Sequence, residues 1–74
     1  MHTDILIQMA NQIGAFFEAM PDREEALEGI AMHIKRFWEP RMRREFLACI
    51  DGNGASELKA MVAEAVRTHR SLLS

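Results

Sequence analysis

The side chains of this 74-residue sequence that could do chemistry are three histidines, one cysteine and eleven acids. As metal ligands, His2, His33, His69, Cys49 and the carboxylates would have to recur at ligand spacing. No His-x-x-x-His, Glu-x-x-His or Cys-x-x-Cys pattern occurs. His33 flanks an apolar helix face and His69 falls on another, so both read as border residues. Cys49 shares a stripe with Met42 and Phe46 and reads as a small buried hydrophobe. No His or Asn is patterned beside it to generate a thiolate nucleophile. Gly52 and Gly54 lie between helices and lack the Lys-Ser/Thr of a phosphate loop. Glu24 and Glu25 sit in a first helical turn, where negative charge is electrostatically comfortable.

What remains is the chemistry of binding. Asn11 and Gln12 interrupt an apolar stripe between Met9 and Ile13, as border amides bonded to a neighbouring helix end or as a contact to a partner. The run Lys35-Arg36-Phe37-Trp38-Glu39-Pro40-Arg41-Met42-Arg43-Arg44 combines an aromatic pair, a rigid proline corner and most of the positive charge. Arg and Trp are enriched at interface hot spots. Macrodipole matching accounts for Lys35 and Arg36 at a helix C-terminus, but not for Arg41, Arg43 and Arg44 at the start of the next helix. The expected partner-binding patch is therefore Arg36, Arg41, Arg43 and Arg44 around an exposed edge of Trp38, extended by Asn11 and Gln12.

The elements that must position these residues follow from periodicity and breakers. Ile5, Met9, Ile13, Phe16 and Met20, widened by Leu6 and Phe17, predict a helix from Asp4 to Met20 with Thr3 as N-cap. Gly14 falls inside it, where a missing side chain lets another helix come close. Pro21 ends it. Asp22 with Glu25 three residues on predicts a capping box and a second helix to about Trp38. Its expected inner face is Leu27, Ile30, Ala31, Ile34, Phe37 and Trp38. Pro40 closes that helix and suits the first turn of a third, which runs through Met42, Phe46, Leu47, Cys49 and Ile50. Asp51-Gly52-Asn53-Gly54 is a strong turn signal. Ser56 then caps a fourth helix burying Leu58, Met61, Val62, Ala65 and Val66, with a tail from Thr68 to Ser74 that extends it or frays. The fold class is all-α: a compact bundle of four short helices forming a single domain over residues 1–74.

A domain this small buries only about 60% of the surface of its unfolded chain, so its core is thin and a homodimer is reasonable when it is isolated. A lone cysteine excludes a disulfide framework and suits the cytoplasm. The start Met1-His2-Thr3-Asp4 lacks the basic region of a secretory signal. No apolar run approaches the roughly 20 residues of a membrane span. The net charge of −2 argues against nucleic acid as partner, since phosphate affinity rests on accumulated Lys and Arg.

Three segments carry a family resemblance: Met9-Ala10-Asn11-Gln12-Ile13, then Phe16-Phe17, then His33 with Arg36-Phe37-Trp38-Glu39-Pro40-Arg41-Met42-Arg43. With the glycine-containing turn at Asp51 to Gly54 and Leu58, Val62 and Ala65 after it, the sequence resembles the small delta subunit of NAD-dependent, molybdenum- or tungsten-containing formate dehydrogenases. The resemblance implies a non-catalytic accessory subunit or assembly factor of a cytoplasmic enzyme that oxidises formate and reduces NAD. It implies that the pterin-bound metal, iron–sulfur clusters and flavin belong to the larger subunits, and that the large catalytic subunit is the partner. The alternative is a free-standing helical adaptor or regulator with another partner. Either way the chain itself is expected to hold no cofactor. Elemental analysis and a visible spectrum of the purified protein should show no stoichiometric metal, flavin or cluster, and an equimolar metal would contradict this reading.

Overall fold

The structure, a computed structural model, describes residues 3–74, with the backbone alone at Thr3. Its helices are α1 (Thr3–Phe17), α2 (Arg23–Phe37), α3 (Pro40–Asp51), α4 (Ala60–Thr68) and the short α5 (Arg70–Leu73), with a 3-10 turn at Gly54–Glu57 before α4. No strand occurs among the described residues. The all-α expectation holds, with four helices of useful length and a fifth of a single turn.

Sequence breakers fall where the helices stop. Asp22 is the N-cap of α2, its carboxylate accepting the Glu25 N–H at 3.2 Å. Pro40 occupies the first turn of α3, where its missing N–H leaves no bond unmade. The cap expected of the Thr3 side chain lies outside the described residues. Helix α1 stops at Phe17 rather than Met20: the bonds Ala19 N–H to Phe16 O and Met20 N–H to Phe17 O tighten the chain into a turn ahead of Pro21. The residue before a proline is pushed out of helical geometry, and the last turn yields first.

Ser56 does not cap the fourth helix. Its hydroxyl donates to Asn53 O inside the 3-10 turn, and α4 begins four residues later, after Lys59. Leu58, expected within that helix, is buried just ahead of it. The tail neither continues α4 nor frays. At His69 the backbone leaves helical geometry (φ −118°, ψ 31°), and α5 turns Leu73 into the core.

The core is built from Leu6 and Ala10 of α1, Ile30 and Ile34 of α2, Phe46 of α3 and Val62 of α4, with Trp38 and Leu73 joining it. Helix α2 packs against α1, α4 and α5, so it is the element the others surround. Gly14 faces α4, where a Cβ would overlap the Val62 side chain. The missing side chain thus sets how closely α1 and α4 approach. Phe46 is fully buried, and truncating such a residue to alanine costs about 3–5 kcal/mol.

Three expected core positions are not core. Phe16 and Phe37 are 73% and 70% exposed, and Ile5 is also exposed. The buried register of α1 is Leu6, Ile7 and Ala10 instead, because Gly14 and Asn11 turn toward α4 and rotate Ile5 and Phe16 to the opposite flank.

Surface ion pairs bind the later helices to the earlier ones. Arg70 grips Asp51 with two hydrogen bonds of 2.8 and 2.7 Å, joining α5 to the end of α3. Arg23 pairs with Glu64, joining the start of α2 to α4. The hydrogen bonds from Arg70 hold the Asp51 carboxyl below the ordinary range, and those from Arg23 do the same for Glu64. A carboxyl depressed in the folded state adds stability above its unfolded pKa, about 4, and loses it as pH falls through the lower folded value. The melting temperature should therefore drop as pH falls from 5 towards 2. The double variant Asp51→Asn, Glu64→Gln should start lower at pH 6, fall less steeply and converge on the wild type in strong acid. Identical profiles would show that neither pair contributes.

Candidate partner-binding surface

The corner between α2 and α3 is built around Arg43. Its Nη1 donates to Lys35 O at 3.1 Å and to Trp38 O at 3.0 Å, and its Nε donates to Leu73 O at 3.3 Å. These are carbonyls at the C-terminal ends of α2 and α5, the negative ends of two helix dipoles. The positive charge that looked misplaced at the start of α3 is thus placed against helix ends one turn away. The partner of Arg43 is the chain's own backbone.

Trp38 is only 5% exposed and meets Phe46 edge to face, with ring centroids 5.2 Å apart. The exposed edge expected of it is absent, because the extended Trp38 backbone at the α2 C-cap swings the indole under the corner rather than over it. Asn11 is likewise turned inward. Its Oδ1 accepts the Lys59 N–H at 2.8 Å and its Nδ2 donates to Glu57 O at 3.0 Å. One amide thereby pins the segment between the 3-10 turn and α4 to α1, the border role open to it from sequence. Gln12 is exposed.

The remaining arginines of the run face outward. Arg41 is 78% exposed at its side chain and lies 3.5 Å from Glu45, a helical i, i+4 pair of small energetic weight. Arg36 and Arg44 are exposed, and among the described residues neither has a carboxylate within 4 Å. The geometry thus divides the sequence patch: Arg43, Trp38 and Asn11 hold helices together, while Arg36, Arg41, Arg44 and Gln12 meet solvent.

Sequence reasoning missed that two aromatics, Phe37 and Phe16, are exposed. The Phe37 ring lies 4.8 Å from the ring of His33, one turn back on α2. Phe16 stands edge-on to Phe17 at 5.2 Å. A signal existed: Gln12 falls on the helical face of Ile5 and Phe16, and an amide amid an apolar stripe marks a face that is not the core centre.

At the other end of α2, Asp22, Glu24, Glu25, Glu28 and Glu64 line a cleft with Arg23, Thr68 and His69. Among the described residues, no group of three or more His, Cys, Asp or Glu is placed to hold a metal ion. His2 lies outside the described residues. No described helix is long and apolar enough to cross a membrane.

The fold is an all-helical one in which polar side chains lock helix ends and aromatic and basic groups lie outside. Residues 5–66 match the family model of FdsD, the NADH-dependant formate dehydrogenase delta subunit. The chain belongs to this family, which confirms the resemblance carried by its aromatic and basic segments. No curated protein and no solved structure matches the chain.

The inward residues give a direct test. Arg43→Gln removes hydrogen bonds from a charged donor, each worth about 1.5–3 kcal/mol, and should lower the denaturation midpoint by at least that of one bond. Asn11→Asp keeps the acceptor but loses the donor to Glu57 O, and should also destabilise. Arg41→Gln should change stability by no more than about 0.5 kcal/mol. Equal midpoints for all three in urea melts would contradict the internal roles.

Proposed function

We propose that this protein is a non-catalytic accessory subunit or assembly factor of an NAD-dependent formate dehydrogenase, binding the larger cofactor-carrying subunits in the cytoplasm. The observation that carries the reading is the family match over residues 5–66, which spans both the Asn11 segment and the basic corner. The exposed arginines support it. Arg36, Arg41 and Arg44 remain outward after the internal needs of the corner have been met by Arg43. Of these, Arg36 adjoins the exposed Phe37, and Arg beside an exposed aromatic is the composition of an interface rather than of a solvated face.

Co-expression with a tagged catalytic subunit tests it. The chain should co-elute in stoichiometric amount, and the chain alone should not reduce NAD with formate. Two further measurements separate the roles. A fall in molybdenum or tungsten content of the large subunit made without this chain marks an assembly factor. Unchanged metal content with faster dissociation of the complex on dilution marks a structural subunit. Full metal content, full activity and unchanged complex stability in its absence, with no co-elution, would overturn the proposal.

A further inference from the structure

The outward apolar residues form one surface rather than scattered exceptions. Phe16 touches Phe17, and the Phe17 ring lies over Gly29, whose absent side chain makes the space. Gly29, His33 and Phe37 follow at four-residue spacing on α2, and the His33 and Phe37 rings are in contact. Eight residues of helix span about 12 Å, so the line from Gly29 to Phe37 runs along about half the length of α2. On α1, Ile5 shares the face of Phe16, on the flank away from α4. On α2, Met32 and Arg36 lie one turn apart along the outer edge of the seam. Ile5, Phe16, Met32 and Phe37 are the exposed large hydrophobics of the described chain, and all four belong to these two helices.

We propose that this seam is the docking face for a larger subunit of the enzyme, whose surface supplies an apolar groove for Phe16 and Phe37 and a carboxylate for Arg36. The inference rests on the accessory-subunit reading above and names the surface through which it acts. A subunit of a complex must bury some face against its neighbours, and an interface centre is apolar, aromatic and poor in charge. The seam has that composition, with uncharged Gln12 beside it. The acidic cleft at the start of α2 and the arginines beyond Pro40 do not. Charge fixes the chemistry of the partner's rim. Arg36 adjoins Phe37, has no carboxylate within 4 Å among the described residues, and follows Lys35 at the same end of α2. The complementary group is therefore an acid beside the pocket that receives Phe37.

The test is capture of the chain by the tagged catalytic subunit, co-expressed with the other large subunits. Phe16→Ser with Phe37→Ser should leave helicity and melting temperature close to wild type, since both rings are mostly exposed, and should weaken capture at least tenfold. Arg36→Glu should weaken capture about tenfold and invert its response to salt. A photoreactive phenylalanine analogue at position 37 should cross-link to a large subunit, and the same analogue at Glu24 should not; this arm holds even if the double variant folds poorly. If the wild type is captured and the serine variant is captured equally well, or if only position 24 cross-links, the face is wrong while the accessory reading stands. If the wild type itself is not captured, that reading fails first. If the wild type sediments as a dimer alone, and the serine variant is monomeric yet captured normally, the seam belongs to a second copy and the proposal is overturned.

Discussion

Pro40 cannot continue α2, and the stop it imposes leaves carbonyls at the end of that helix without partners. Arg43, one turn into α3, supplies the donors, and the same guanidinium reaches the last turn of α5. Three helix ends thus meet at one charged group. The arrangement fixes the angle between α2 and α3, draws the chain's C-terminal turn inward and seats Trp38 against Phe46 beneath it. In a domain whose core is thin, a charge-assisted junction of this kind carries weight that a larger protein would assign to apolar packing.

Asn11 performs the same task at the opposite seam. The segment it holds contains no side chain able to start a helix: α4 begins without a side-chain cap of its own, after Lys59. An amide from a residue 48 positions away supplies the missing order. Both junctions reach a distant part of the chain, Arg43 through Leu73 O and Asn11 through Lys59 N–H and Glu57 O, and both use the backbone rather than another side chain as acceptor or donor. They leave Arg36, Arg41 and Arg44 outside the junctions, facing solvent.

These junctions explain what was legible in the sequence. Asp22, Pro21, Pro40 and the glycine-rich turn act on their immediate neighbours, so the helix boundaries near them can be read from local pattern. Ser56 is a plausible cap by type, but the bond that starts α4 comes from Asn11, which no local rule reaches. Arg43 looks misplaced on its own helix because its carbonyl partners belong to α2 and α5. Phe16 and Phe37 have the spacing of core residues, yet the core register of α1 is decided by Gly14 facing Val62. A periodicity gives the width of an apolar stripe, and only the neighbouring helices decide which edge of it they cover.

The segments through which this chain resembles its family hold two kinds of residue: Asn11, Trp38 and Arg43 serve architecture in the folded chain, while Phe16, Arg36 and Phe37 lie exposed. The same few turns therefore hold the scaffold together and carry the side chains that the scaffold leaves outside. A change at the exposed positions leaves the Arg43 and Asn11 junctions untouched. On the proposed docking face, a chimera that keeps the scaffold and exchanges only the seam residues would carry its allegiance with those few side chains.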